Sequence, residues 1–340
     1  FGSSFGSLAA KRGLTPRQPA PQPEPRTGPA SRKRVPGPSL PSARPRSAAI
    51  MAEKPKVTVM MNGILGAMGQ EVSKACLRRG FGLAPVAMEG PGTSSRTAEV
   101  TDDKGVTHTV RCVGSDEAAK QKEAVEAAQK EFGSSLVCID FTHPTAVNPN
   151  SRIYAETKVP FVMGTTGGDR EELMRVTEGS GGYAVVAPNM CKQIVAFQAT
   201  MERTAREFPG AFSGYKLDLV ESHQSTKADT SGTARAMVGF FNTLGVEPFD
   251  DAQIRMLRKR DEQTAFGVPE DALNGHAFHT YTLSSPDGSV KFQFQHNVSG
   301  RSTYAEGVAD AVTFLASKMA QGSEKKVFNM IDVLSEGAMS

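Results

Sequence analysis

Short apolar runs alternate with amphipathic helical patterns in the first two thirds of the chain. Each apolar run ends in glycine or polar residues, and the runs cover residues 56–61, 83–88, 135–141, 159–163 and 183–187. Strands that alternate with helices form a parallel sheet whose strand ends share one ligand-binding edge. The pattern therefore predicts an α/β fold with a Rossmann-like doubly wound parallel sheet.

The pattern changes after Cys191. A long helix, 193–208, precedes a strand at 215–220, and two alternating runs, 275–283 and 290–297, flank a Ser-Pro-Asp-Gly turn typical of a hairpin. This predicts an α+β C-terminal substrate and oligomerisation domain with a mixed or antiparallel sheet. We expect a dinucleotide-binding domain at 55–190, the second domain at 191–302, and residues 303–340 packing back onto the first.

Charge is distributed unevenly along the chain. Residues 1–50 carry nine Lys or Arg against one acid, so they hold +8 while the rest of the chain holds −5 of the net +3. These residues include ten of the 21 prolines, and such a segment cannot bury enough apolar surface to order itself. We predict that residues 1–54 are disordered and resemble a transit peptide. A fragment, or a true start at Met51, remains an alternative.

Composition also excludes several classes of function. A mildly acidic body is unlike a nucleic-acid-binding domain, and no apolar run approaches the roughly 20 residues of a membrane span. Four scattered cysteines without a CxxC pair indicate a reducing compartment and neither disulfides nor a zinc site. No spacing of His, Cys and acidic residues predicts a metal site.

A glycine-rich turn, Gly63-x-x-Gly66-x-x-Gly69, follows the first predicted strand. Glycines at this position let the backbone approach a pyrophosphate, and an acid about 20 residues later, here Glu89, binds the ribose. A tight turn and a solvated acid are the alternatives. Candidate cofactor-binding residues in the turn and at later strand ends are Gly63, Ile64, Leu65, Gly66, Ala67, Met68, Glu89, Gly164, Thr165, Thr166, Ala187, Pro188, Asn189 and Met190.

The richest polar stretch is residues 221–234, interpreted as a loop between a strand and a helix. His223 and Lys227 are candidate proton carriers in this loop. The amides of Gly232 and Thr233 open the following helix, where free N–H groups and the helix dipole favour an anion such as a carboxylate.

These motifs together resemble the 4-hydroxy-tetrahydrodipicolinate reductase (dihydrodipicolinate reductase) family, over about residues 56–340. The resemblance lies in the glycine turn, Asp140-Phe-Thr142, Gly164-Thr-Thr-Gly167, Glu221-Ser-His-Gln224, Lys227-Ala-Asp-Thr-Ser-Gly-Thr-Ala234 and Gly300-Arg-Ser302. Four motifs resemble the plant-type branch in particular: Gly164-Thr-Thr-Gly-Gly-Asp169, Phe212-Ser-Gly-Tyr215, Glu221-Ser-His-Gln224 and Gln295-His-Asn-Val298.

The resemblance implies an oxidoreductase of the diaminopimelate route to lysine, which uses NADH or NADPH to reduce a cyclic dicarboxylate with loss of water. It implies that His223 is the proton donor and acceptor and that Lys227 donates a proton and attracts the substrate carboxylate. Gln224, Gly232 and Thr233 would bind the substrate. It also implies a homo-oligomer, dimer or tetramer, and a plastid location if a transit peptide is present.

Two positions depart from the bacterial pattern. Gln224 stands where bacterial members usually carry a second histidine, and Gln cannot carry charge. Gly90 stands where an Arg often pairs with the 2′-phosphate of NADPH, although Arg96 lies further along. We therefore expect NADH to be used at least as well as NADPH.

His276, His279 and His296 fall on predicted strands and are interpreted as sheet or interface packing, and His108 is interpreted as a loop residue. His143, at a strand end, is a candidate for lining the cofactor edge, and Arg301 is the best further candidate for a substrate carboxylate ligand, with a surface charge as the alternative. Two alternatives remain: another nicotinamide oxidoreductase acting on a sugar or semialdehyde, with Cys191 activated by Lys192, and a non-catalytic nucleotide sensor.

Overall fold

The computed structural model describes residues 57–337 of the chain. The predictions for residues 1–54, disorder and a transit peptide, lie outside the described residues. The first half contains strands and helices that alternate as the sequence indicates. They are β1 (Thr58–Asn62), α1 (Ala67–Arg78), β2 (Gly82–Leu83), β3 (Val86–Glu89), β4 (Thr97–Thr101), β5 (Thr107–Gly114), α2 (Ala118–Phe132), β6 (Leu136–Asp140), α3 (Val147–Thr157), β7 (Phe161–Met163), α4 (Arg170–Ser180) and β8 (Ala184–Val186).

The second half begins at the predicted long helix. Its elements are α5 (Lys192–Glu207), β9 (Lys216–His223), α6 (Gly232–Thr243), β10 (Arg255–Leu257), α7 (Arg260–Ala265), β11 (His276–Ser284), β12 (Lys291–Ser299), α8 (Ser302–Ala320), β13 (Val327–Phe328) and α9 (Met330–Ser335). Among residues 57–337, no helix is long and apolar enough to cross a membrane.

Within the described part of the chain, six strands form a parallel sheet in the order β13-β8-β7-β6-β1-β2. Strands β1 and β6 are buried along their whole length because helices cover both faces. The expected Rossmann-like sheet is thereby confirmed.

A three-stranded sheet, β3-β5-β4, continues this architecture beside β1. The amide of Gly63 donates to the carbonyl of Met88 at 3.0 Å, and Asn62 Oδ1 accepts from the Met88 amide at 2.8 Å. The hairpin of β4 and β5 was not predicted, and His108 lies in β5 rather than in a loop. The alternating buried residues Val110 and Cys112 attach this hairpin to the core.

The four-stranded sheet has the order β10-β9-β11-β12. Strand β11 is antiparallel to both β9 and β12, whereas β10 runs parallel to β9, so the sheet is mixed, as the sequence allowed. One face packs against α5 and α6 through aromatic contacts of Phe197 and Phe241 with Tyr281.

The C-terminal elements join the parallel sheet. Strand β13 pairs with β8, and α8 places Val308, Val312 and Leu315 in the same apolar cluster as Val59 of β1. Arg79 and Lys192 both form ion pairs with the buried Asp310 of α8, which ties α1 and the start of α5 to that helix. The domain boundaries at 190 and 302 stay predictions.

Candidate active site

The glycine turn lies between β1 and α1 and admits only glycine at two positions. Gly63 has φ +85°, and a Cβ there would lie 2.2 Å from the carbonyl oxygen of Phe141. A Cβ on Gly69 would lie 2.1 Å from the carbonyl oxygen of Gly63. This close backbone packing at a helix N-terminus fits a pyrophosphate cradle, so the residues present suit a dinucleotide.

Glu89 ends β3 beside this turn, as a ribose-binding acid should. Its Oε1 accepts from the Leu65 amide at 2.9 Å, and the residue is buried. Burial raises the pKa of Glu89, while the amides of Leu65 and Ile64 and the charge of Arg96 oppose the rise. Ile64 is fully buried in the core, so its side chain is not available to a ligand.

The ends of β6 and β7 are joined by one buried carboxylate. Asp140 accepts from the Thr142 and Thr165 hydroxyls, each at 2.7 Å, and its backbone carbonyl accepts from the amides of Gly164 and Thr165. Gly164 packs against the ring of Phe141, whereas Thr166 is exposed. His143 is exposed and hydrogen-bonds Thr145, which leaves it a turn residue.

The segment after β8 connects the parallel sheet with the polar loop. Asn189 Nδ2 donates to Thr233 Oγ1 at 3.2 Å, and Asn189 Oδ1 accepts from the Cys191 amide at 2.8 Å. Ala187 and Met190 are buried and Pro188 is exposed. The candidate cofactor residues at the end of β8 therefore contact the candidate substrate residues at the N-terminus of α6, although the two groups are far apart in the sequence.

The 221–234 stretch is not wholly a loop, because β9 extends through Glu221, Ser222 and His223. These residues stay in the strand because Glu221 pairs with His279 and His223 with Ala277 on β11. The His223 carbonyl accepts from Gln263 Nε2 at 2.6 Å. His223 is thus held on a rigid strand end, and Lys227 on the loop that follows.

Glu221 is a fully buried carboxylate that organises the loop. One oxygen accepts from Arg258 at 2.5 Å, and the other accepts from the Ser231 amide at 3.0 Å. Burial raises the pKa of Glu221, but His279, Arg258 and the Ser231 amide outweigh it and lower the pKa to about 2. The group is therefore an anion at neutral pH.

Arg258 also fixes the backbone around Lys227. Its Nε donates to the Lys227 carbonyl at 2.8 Å, and its Nη2 reaches the Asp229 carbonyl at 3.3 Å. The Lys227 ammonium lies 2.6 Å from the carboxylate of Asp229, whose side chain is 68% exposed. Lys227 therefore stands at the surface of the site with an exposed partner.

The N-terminus of α6 offers the expected anion site in modified form. Ser231 is the N-cap, and its hydroxyl already accepts from the Thr233 amide at 3.2 Å. Gly232 is exposed, and a Cβ added there would meet nothing within 4 Å. The Gly232 amide is consequently the more accessible of the two, and half-buried Gln224 lies one residue past His223.

His223 lies in a cluster of buried polar groups. Its Nε2 is 3.3 Å from His279 Nε2 and 3.9 Å from Glu221 Oε2. Burial lowers the pKa of His223 to about 3, helped by His279, Arg258 and Lys227 and opposed by Glu221. The imidazole is therefore neutral at pH 7.

Within residues 57–337, ligand-type atoms of Glu221, His223 and His279 lie within 4.8 Å of one another. No spacing in the sequence indicated this cluster, because His279 comes from a separate strand. The guanidinium of Arg258 on Glu221 opposes a second cation there. We therefore interpret the three groups as a hydrogen-bonded cluster.

Other candidates have structural contacts. Arg301 donates to the Asn274 carbonyl at 3.1 Å and packs on Gly275, and His276 hydrogen-bonds Ser222 at 2.7 Å. Cys191 is buried 3.4 Å from the Thr303 hydroxyl, and the neighbouring Lys192 is ion-paired with Asp310. In the described part of the chain, the Cys191 thiol contacts Gln193 and Thr303 and no basic side chain that would activate it as the nucleophile of a semialdehyde dehydrogenase.

Comparisons with known proteins agree along nearly the whole described chain. Family models described as "Dihydrodipicolinate reductase, N-terminus" and "Dihydrodipicolinate reductase, C-terminus" match residues 57–190 and 193–334. The chain is 45% identical over 284 residues to 4-hydroxy-tetrahydrodipicolinate reductase 1, chloroplastic, of Arabidopsis thaliana, covering 83% of this chain and 79% of that protein. A probable rice (Oryza sativa) chloroplastic reductase is 43% identical, with 88% and 85% covered.

A solved structure has a similar fold. Dipicolinate-bound dihydrodipicolinate reductase from a Paenisporosarcina species aligns with a TM-score of 0.52 at 18% identity, covering 81% of this chain and 97% of that one. At this identity the likeness concerns the fold alone.

Proposed function

The chain belongs to the dihydrodipicolinate reductase family, and we propose from this premise that it reduces 4-hydroxy-tetrahydrodipicolinate to tetrahydrodipicolinate with loss of water. It is an oxidoreductase of lysine biosynthesis that uses NADH or NADPH. The observation that carries the site assignment is the Asn189–Thr233 hydrogen bond, because it brings the nucleotide edge against the loop of His223 and Lys227.

The bound nicotinamide supplies the hydride, and this chain's residues must bind a dicarboxylate and manage protons. The overall reaction takes up one hydride and one proton and releases water. The ammonium of Lys227, and the free amide of Gly232 at the start of α6, support binding of the substrate carboxylates, since both favour an anion. We assign to them the binding and orientation of the substrate, with the Thr233 amide and Gln224 as further contacts.

His223 is the proposed proton donor and acceptor. As a neutral imidazole it can accept a proton from substrate at pH 7. A bound dicarboxylate adds negative charge near the ring and raises the pKa of His223, which favours the protonated form at the moment when a proton must be returned.

The test is an assay coupled to the enzyme that makes the substrate, with nucleotide oxidation as readout. His223→Ala and Lys227→Ala should each lower kcat/KM by roughly 100-fold or more, while NADH binding, measured by fluorescence, stays within about twofold. Normal turnover in the double variant would contradict the assignment and favour a sensor. Inactivation of the native protein by a thiol reagent, prevented by substrate, would favour the Cys191 alternative.

Cofactor choice follows from Glu89. Its carboxylate repels a 2′-phosphate, and Gly90 provides no compensating charge, so we propose that NADH is used at least as well as NADPH. Glu89→Ser should lower kcat/KM for NADH about tenfold and for NADPH less. Glu99→Gln, on exposed β4, is the control and should leave both unchanged. A clear NADPH advantage in the native enzyme would contradict this proposal.

We propose that residues 1–54 direct the protein to plastids. The support is their basic, proline-rich composition and the chloroplastic names of similar reductases. Residues 1–54 fused to a fluorescent protein should enter chloroplasts, and the same reporter without them should not. Cytosolic fluorescence of the fusion would contradict targeting.

A homo-oligomer, dimer or tetramer, is also proposed. The support is strand β12, which lies at an edge of the four-stranded sheet and carries Phe292, 44% exposed. Light scattering at micromolar concentration should give a mass of two or four chains, and Phe292→Glu should lower it. A single-chain mass for the native protein would contradict this.

A further inference from the structure

His279 is a buried histidine that lies outside the 221–234 motif. The sequence indicated only that it packs in a sheet. It is 1% exposed, and its Nε2 lies 3.3 Å from His223 Nε2 and 3.6 Å from Glu221 Oε2. Its ring meets that of His223 edge to face, with centroids 5.0 Å apart. A buried imidazole in this position determines which nitrogen of His223 can face a ligand.

The sheet register fixes this position. His279 on β11 lies opposite Glu221 on β9 and opposite His296 on β12. The row continues the apolar face of the sheet, where Tyr281 lies opposite Leu219 and Phe294. Since cross-strand partners in a sheet share a face, His279 cannot leave Glu221 and His223 without a change of register.

The two ring nitrogens of His223 are therefore not equivalent. Nε2 points into the cluster, toward His279 and Glu221. Within residues 57–337, no protein group hydrogen-bonds Nδ1, although the side chain retains 10% of its accessible surface. Nδ1 is the nitrogen that a substrate atom can reach.

We propose that His279 is a positioning residue: its Nε2 accepts the Nε2–H of His223, so that His223 takes up and returns the substrate proton through Nδ1. The inference rests on the proposed role of His223. When Nδ1 gains a proton, both nitrogens of His223 carry hydrogen, and His279 can accept the inner N–H only as the neutral tautomer with hydrogen on its own Nδ1. Among residues 57–337 that Nδ1 is buried and has no hydrogen-bond partner, so the His223 contact must outweigh this cost. Glu221, 3.9 Å away, compensates the imidazolium charge, whereas Arg258 and Lys227 oppose it.

Three variants separate this role from simple packing. His279→Phe retains the ring but removes the acceptor, and kcat should fall at least about tenfold while the KM for NADH changes less than twofold. His279→Gln, whose amide oxygen can replace Nε2, should recover most of kcat. His296→Phe, on the neighbouring strand with ring centroids 4.6 Å from His279, should keep kcat within twofold. Full activity in His279→Phe, or no recovery in His279→Gln, would overturn the proposal.

A nitrogen-15 NMR spectrum of histidine-labelled protein at pH 7 gives a readout that does not depend on turnover. The His223 signals, assigned by their loss in His223→Gln, should show the Nε2–H tautomer in the native protein and in His296→Phe. In His279→Phe they should show a mixture of both tautomers. An Nδ1–H tautomer in the native protein, or no change in His279→Phe, would overturn the positioning role. Because no substrate is present, this result stands even if the proposed reaction fails.

Discussion

Lys227 forms an ion pair with the exposed carboxylate of Asp229, at the position where the proposed substrate carboxylate would bind. The Lys227–Asp229 pair, at 2.6 Å, has a carboxylate 68% exposed, and such pairs contribute only about 0.2–1 kcal/mol. A dicarboxylate bound at α6 offers Lys227 a second anion in a less exposed position. If Lys227 binds the substrate as proposed, Asp229 competes with the substrate for the ammonium group.

Removing this competitor should tighten substrate binding. Asp229→Asn should lower the substrate KM about two- to fivefold, with kcat unchanged, and the difference should shrink at high salt. Asp218→Asn, exposed on β9, is the matched control. A raised KM in Asp229→Asn would mean that the carboxylate positions Lys227 instead.

At the scale of single residues, the sequence predicted those site residues that lie close together along the chain. His223, Lys227, Gly232 and Thr233 occupy one short motif. Arg258 and His279 lie 37 and 58 positions from Glu221, and only strand pairing brings them to it. Buried ionic clusters of this kind leave no periodic signal, since each member looks like an ordinary strand or loop residue.

Among the elements, the β1–α1 turn depends on backbone contacts rather than on side chains. A methyl group on Gly69 would lie 2.1 Å from the Gly63 carbonyl oxygen and 2.7 Å from Ile64 Cα. Either the turn or the helix must move, and the amides that we propose as the pyrophosphate site move with it.

Gly69→Ala should therefore raise the KM for NADH about tenfold or more, measured in steady-state assays. Gly80→Ala is a suitable control, because Gly80 has φ +79° but a Cβ there meets nothing within 4 Å. It should cost about 1 kcal/mol in the free energy of unfolding and leave the KM unchanged. Equal KM values in both variants would show that the turn tolerates the shift.

The elements that the sequence failed to predict have weak patterns of their own. β10 has three residues and α7 six, and the β4–β5 hairpin has little apolar content. Such elements form because neighbours bury one side of them. The continuous apolar run of β6 and the 19-residue helix α8 were predicted because their own patterns are sufficient.

For the whole molecule, buried neutral histidines make stability depend on pH. Burial lowers the pKa of His296 to about 3, and burial lowers the pKa of His223 to about 3 as well. Below about pH 6.5 the unfolded chain binds protons that the folded chain does not. The stabilisation that depends on these neutral histidines is thus fully present above pH 6.5 and is lost as the pH falls toward 3.

His296→Phe should flatten this dependence. Removing one such group should reduce the slope of unfolding free energy between pH 6 and 4 by up to about 1.4 kcal/mol per pH unit. Urea titrations at several pH values measure it, and between pH 7 and 8 the difference from the native protein should be constant. An unchanged slope would mean that His296 is protonated in the folded state.

The placement of α8 and β13 has a consequence for how the protein is made. Residues of the last part of the chain fill the core beneath β1 and complete the sheet beside β8. At roughly 5–20 residues per second, translation needs roughly 7–30 seconds to pass from the end of β8 to the end of β13. During that time the nucleotide-binding sheet has an unpaired edge and an uncovered apolar face on the ribosome. A nascent chain in this state is a natural client for chaperones that bind exposed apolar segments.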